Sequence, residues 1–194
     1  MFHGQGGAKD KKKQEEQLFV HAVMRSLEPF LKEHHEPLVF AGVTELFGVC
    51  RACHHAGRLL DEYVKGNPDK LTPDELKAKA DPIVQEYQKR RREVYLEEYG
   101  SLVGSGRATT DLAVLLDSAV HGKVDLLLLC EGASQWGLFN AENGRATILE
   151  RFEEGAEELL GLVAQHVLLH RGRLAVFDKG AMPEGAVIAG ILRL

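Results

Sequence analysis

The chain has 194 residues, enough for one large or two small domains, and its apolar fraction of 44% is sufficient for a real core. A net charge of −5 does not mark the molecule as a whole for nucleic acid, although local basic clusters can still meet phosphate. Three cysteines are too few for a disulfide framework, and no stretch approaches the roughly 20 apolar residues that a membrane span needs.

Residues 1–13 are rich in glycine and then in lysine, with no periodicity and no apolar segment of the kind that marks a secretory signal. The chain is therefore expected to be cytoplasmic. From about Gln14 the spacing of Leu18, Val20, His21, Val23, Met24, Leu27, Phe30 and Leu31 predicts a helix with one broad apolar face. It should stop at His34-His35-Glu36-Pro37, because the residue before a proline is pushed out of the helical region. The short apolar run Leu38 to Val43 predicts a strand buried on both faces, and a helix is expected from Thr44 to Val64.

Gly66-Asn67-Pro68-Asp69 is a turn, and Thr72-Pro73-Asp74-Glu75 supplies an N-cap, a first-turn proline and acidic residues. The charged segment that follows, to about Tyr99, predicts a long exposed helix, with Pro82 as the point of any interruption. Gly100 to Gly106 is the expected domain boundary. Beyond it, helices are expected over Asp111–Val120 and Gly155–His170. Strands are expected over Val124–Cys130, Leu174–Phe177 and Val187–Leu192. Between them, Trp136–Asn140 and Arg145–Leu149 should form a hairpin closed by Glu142-Asn143-Gly144. Helices interleaved with strands imply an α/β sandwich with both sheet faces covered.

Among motifs, the opening His3-Gly4-Gln5-Gly6-Gly7 is dense in the residue that tolerates positive φ, and Lys9, Lys11, Lys12 and Lys13 stand beside it. That placement suits insertion into RNA, where phosphate contacts dominate affinity, and equally suits a solvated tail. Cys50-Arg51-Ala52-Cys53-His54 has the spacing of covalent haem attachment, and with His34 or His35 it could hold zinc. Neither an export signal nor a second tight ligand pair accompanies it, so packed cysteines on a helix face are expected, with no metal and no cofactor. Glu153, Glu154, Glu157 and Glu158 read as the acidic first turn of a helix. Lys89-Arg90-Arg91-Arg92 is either a solvated face or an RNA contact.

These segments, taken in order, resemble one family. Archaeo-eukaryotic release factors (peptide chain release factor subunit 1) and their Pelota relatives carry a loop close to His-Gly-x-Gly-Gly-Gln, then a long helix and a strand ending in Ala-Gly. Here His3-Gly4-Gln5-Gly6-Gly7, Lys9 to Leu31, and Leu38-Val39-Phe40-Ala41-Gly42 correspond. Gly122-Lys123-Val124-Asp125-Leu126-Leu127 and Ala189-Gly190-Ile191-Leu192-Arg193-Leu194 match the start and end of the C-terminal domain. Gly66-Asn67-Pro68-Asp69 and Trp136-Gly137 fit the bacterial branch.

The resemblance implies an α/β fold: a truncated RNase H-like middle domain with a helical spacer over residues 1–103, then a domain like the kink-turn-binding ribosomal proteins over 104–194. It also implies a ribosome-associated translation factor that enters the A site through the glycine loop and contacts rRNA through Lys9 to Lys13, with a translational GTPase as a further partner. In the family the glutamine after the glycine pair positions the hydrolytic water, and that position is Ala8 here. No catalytic residue is therefore expected, and a non-hydrolytic role in rescue or hibernation of stalled ribosomes is the leading reading. The alternatives are a divergent peptidyl-tRNA hydrolase using Gln5, or a module that binds structured RNA or protein. Family middle domains place several strands before the loop, so either self-association replaces them or the reading frame belongs to a longer product.

Overall fold

The computed structural model describes residues 5–33, 36–53, 58–140 and 144–193, with the side chains of residues 5–10, 12, 13 and 33 outside the description. The chain folds as two compact units, Met1–Lys89 and Arg90–Leu194.

The first unit opens on α1 (Gln5–Glu33), where Val20, Met24 and Leu31 recur at helical spacing and are buried. Val20 and Met24 meet Cys50 and Cys53 in one apolar cluster, to which Phe40, Leu46, Val49 and Leu59 add partly buried surface. The chain then forms β1 (Ala41–Gly42), α2 (Thr44–Arg51) and β2 (Val64–Lys65), with β1 and β2 parallel. An isolated bridge joins Leu38 to Leu59 in the same sense.

The expected helix over Thr44–Val64 is thus wrong beyond Arg51: the chain turns back, and its return leg runs beside the segment from Leu38 to Gly42. Two-residue strands are too short to show a period of two, and Tyr63 stacks on Phe47 at 4.0 Å between ring centroids. The strand beginning at Leu38 is also not alone, since the amides of Leu60, Val64 and Gly66 donate to the carbonyls of Leu38, Phe40 and Gly42.

α3 (Pro73–Leu102) runs unbroken through Pro82, and the division between the units falls inside it rather than at the glycine-rich stretch 100–106. The reason lies in Tyr95 and Tyr99, which this helix buries in the core of the second unit. That unit continues with β3 (Ala108–Thr109), α4 (Leu112–Val120), β4 (Val124–Cys130), β5 (Trp136–Asn140) and β6 (Arg145–Ile148). It ends with β7 (Glu157–Glu158), α5 (Leu159–Leu169), β8 (Arg173–Phe177) and β9 (Ile188–Leu192).

The main sheet has the order β3-β9-β4-β8, with only β4 and β8 parallel, and a second sheet has the order β6-β5-β7. β4 alternates sides: Leu127 packs with α4 and α5, whereas Leu126 and Leu128 pack with Tyr95 and Tyr99. Both faces are therefore covered by helices, which is why this strand is apolar at every position but Asp125, and the α/β class read from the sequence holds. The glutamates over 153–158 are not a helical first turn. Glu157 and Glu158 pair with Gly137 and Trp136, and Glu158 then caps α5 by accepting from the amides of Leu160 and Gly161. Of the hairpin turn Glu142-Asn143-Gly144, the first two residues lie outside the described residues.

Candidate functional site

His3 and Gly4 lie outside the described residues, while Gln5, Gly6 and Gly7 form the first turn of α1 and Lys9 to Lys13 the next. Of the four lysines, the side chain of Lys11 is described, and it is exposed. The helix that carries this segment is fixed to its unit by Val20, Met24 and Leu31. One turn round the same helix, Phe19, Val23, Leu27 and Phe30 are exposed, so the broad apolar face read from the sequence is only half used by this unit.

Cys50 and Cys53 are buried in the first-unit core, as packed cysteines should be. Burial and then the neighbouring Cys53 push the Cys50 thiol above its ordinary range, away from the reactive thiolate. His21 approaches Cys53 with 3.7 Å between Nδ1 and Sγ. His34, His35 and His54, the other conceivable zinc ligands, lie outside the described residues. Among the described residues, no group of three or more such side chains could hold a metal ion.

The motifs of the second unit are structural devices. Gly122 takes φ of +68° at the turn into β4, where an added Cβ would sit 3.1 Å from the His170 ring. Arg193 donates to the carbonyls of Gly122 and His170, both at 3.0 Å, and so ties the ends of α4 and α5 to the last strand. His121 and His170 both stand at helix C-caps. Gly137 brings β5 so close to α5 and β6 that a Cβ there would meet Leu159 and the Thr147 carbonyl at 2.5 Å.

The basic run also has structural work. Arg91 donates from Nε to the Tyr95 hydroxyl at 2.6 Å and lies over its ring. On the same ring lies Arg173, which donates to both carboxylate oxygens of Glu98 at 2.8 and 2.7 Å and to Asp125 at 2.6 Å. The Glu98 hydrogen bonds, helped by Asp125, outweigh desolvation and hold this guanidinium protonated. The sequence carried one sign of this network: Asp125 is a carboxylate inside an otherwise apolar strand, which calls for a partner.

The fold defines an α/β protein with the architecture of release-factor and Pelota domains. The C-terminal domain of a peptide chain release factor from Methanosarcina mazei, 14% identical, superposes with a TM-score of 0.50 over 66% of this chain and 98% of that one. Archaeal Pelota, taken from a model of ribosome-bound Pelota and ABCE1, is also 14% identical, with a TM-score of 0.58 over 91% of this chain and 48% of that one. The chain thus spans about half the length of that Pelota chain. No curated protein sequence matches it. The family model for bacterial archaeo-eukaryotic release factor family 3 matches residues 2–123, and the chain belongs to that family. Among the described residues, no helix is long and apolar enough to cross a membrane.

Proposed function

We propose that the chain is a ribosome-associated translation factor that occupies the A site through His3-Gly4-Gln5-Gly6-Gly7 without hydrolysing peptidyl-tRNA, in rescue or hibernation of stalled ribosomes. The observation that carries this reading is the retained glycine loop with Ala8 in the place of the family's glutamine. Family membership and the likeness to a ribosome-bound Pelota support association with the ribosome. Lys9, Lys11, Lys12 and Lys13 supply phosphate contacts to rRNA, whose binding should weaken steeply with salt. A translational GTPase is the further partner, and the cytoplasm is the place of action.

The exposed stripe of Phe19, Val23, Leu27 and Phe30 supports the expectation that additional protein covers α1, in a second copy or in a longer product. Co-sedimentation with ribosomes, with and without residues 1–13, tests the loop; equal binding by both forms overturns the proposal. Release of a labelled peptide from stalled ribosomes separates the hydrolytic alternative. No release is expected from the wild type, and release that disappears in Gln5→Ala would establish hydrolysis instead.

A further inference from the structure

We infer that the outer face of the three-stranded sheet, centred on Trp136, docks a basic protein segment through its apolar side chains. Trp136 and Leu138 are two residues apart on β5 and share one face. Phe152, from the loop after β6, meets Trp136 edge-on at 5.1 Å between ring centroids. Phe152 is 62% exposed and Leu138 47% exposed, so an aromatic pair and an aliphatic neighbour stand open together. Large aromatic groups grouped this way are the usual anchors of protein interfaces.

The loop that carries Phe152 is held in place before any partner arrives. The Leu149 amide donates to the Trp136 carbonyl at 2.9 Å, and the Gln135 side chain donates to the Leu149 carbonyl at 2.9 Å. The Gln135 amide in turn reaches Glu158 at 2.9 Å. A patch fixed by its own hydrogen bonds loses little freedom on binding.

Charge decides which partner fits. Residues 149–158 hold five glutamates and one arginine. Glu158 is engaged in capping α5, whereas Glu150, Glu153, Glu154 and Glu157 are exposed and carry no ion pair among the described residues. Carboxylates beside an aromatic pair repel phosphate, so this is no stacking platform for RNA. A two-fold contact between copies would set the same acidic loop against itself. A lysine- or arginine-flanked segment with leucine or phenylalanine anchors satisfies both the rim and the centre.

Trp136 is the single tryptophan of the chain, so its emission reports on this face alone. The test titrates the full chain with a short tryptophan-free peptide carrying phenylalanine and leucine between lysine and arginine flanks. Saturable binding with a blue shift of Trp136 emission is expected. Changing the flanks to glutamate should weaken it about tenfold or more. Phe152→Ser in the protein should weaken it about tenfold, with Leu138→Ser as a second, independent variant. The charge reversal Glu153→Lys with Glu154→Lys should weaken it at low salt, with the difference fading as salt rises. Binding indifferent to the peptide flanks or to both serine variants overturns the inference. So does tighter binding of single-stranded oligouridylate than of the peptide, or self-association of the chain that Phe152→Ser abolishes.

Discussion

Arg173 on β8 grips Glu98 on α3 through two nearly parallel hydrogen bonds, 2.8 and 2.7 Å long, and with the same guanidinium reaches Asp125 on the neighbouring strand. One cation thereby fixes the helix that covers this face of the sheet to its two parallel strands, β4 and β8. All three groups are about one-third exposed, so water screens part of the attraction. The fork geometry and the stack on Tyr95 remain after that discount. Arg173→Ala is expected to lower the urea unfolding stability of the second unit by about 1.5–3 kcal/mol, toward the lower figure because of the screening. Arg173→Lys should recover less than half of the loss, since an ammonium cannot donate to two carboxylate oxygens in parallel. Full recovery by lysine would show that charge alone, without the fork, holds the helix.

Gly137→Ala should cost about 1–3 kcal/mol, because one of the two clashing atoms is the backbone carbonyl of Thr147 on the paired strand and cannot swing aside. Gly100→Ala provides the contrast. Gly100 lies within α3 with nothing near its missing Cβ, so alanine there should stabilise by about 0.5–1 kcal/mol through helix propensity. Thermal unfolding of the two variants checks both signs, and a neutral Gly137→Ala would mean that β5 and α5 are not packed this closely.

The contrast between these glycines also shows what the sequence could and could not tell. The strands Val124–Cys130 and Ile188–Leu192 were legible because both faces are largely buried and the runs are apolar apart from Asp125. The capped helix starts at Thr72 and Asp111 were legible because their signal is local. β2 was not: its pairing with β1 is decided by contacts some 20 residues apart, over strands too short to carry a pattern. Glu157 and Glu158 misled for a related reason, since acidic residues ahead of a leucine run look alike in a first turn and in a strand that ends on a capping glutamate. The surface at Trp136 was not legible either, because Phe152 and the strand it flanks come together only through the fold.

Cys50 links the first-unit core to pH. Its thiol is pushed up by burial and then by Cys53, whereas the unfolded thiol ionises in the ordinary range of about 8.5. As pH rises, the unfolded chain therefore loses this proton first. The stability is complete below the unfolded pKa and declines as pH climbs through that value toward the raised folded one. Urea midpoints of the first unit, followed by hydrogen exchange, should fall across this alkaline window in the wild type. Cys50→Val, which keeps a small apolar side chain and removes the proton, should flatten the slope there. An unchanged slope in the variant would assign the alkaline loss to other groups.

Thr72 and Glu75 form a reciprocal cap at the start of α3. The Thr72 amide donates to Glu75 Oε2 at 2.8 Å, and the Glu75 amide donates to Thr72 Oγ1 at 3.3 Å. The hydrogen bonds from the Thr72 backbone and then from its side chain hold the Glu75 carboxyl below the usual carboxylate range. A carboxylate lowered in the folded state favours folding above its unfolded pKa, and this support fades as pH falls through the folded value. First-turn amides of α3 should therefore exchange faster below the ordinary glutamate range of about 4.3 than a pH-corrected intrinsic rate predicts. Thr72→Ala should raise their exchange about fivefold at neutral pH, the equivalent of one lost helix cap, but should keep most of the acid dependence, because the main-chain amide at this position still donates to Glu75. Loss of that dependence in Thr72→Ala would show that the Thr72 hydroxyl, rather than its main-chain amide, holds the Glu75 carboxylate.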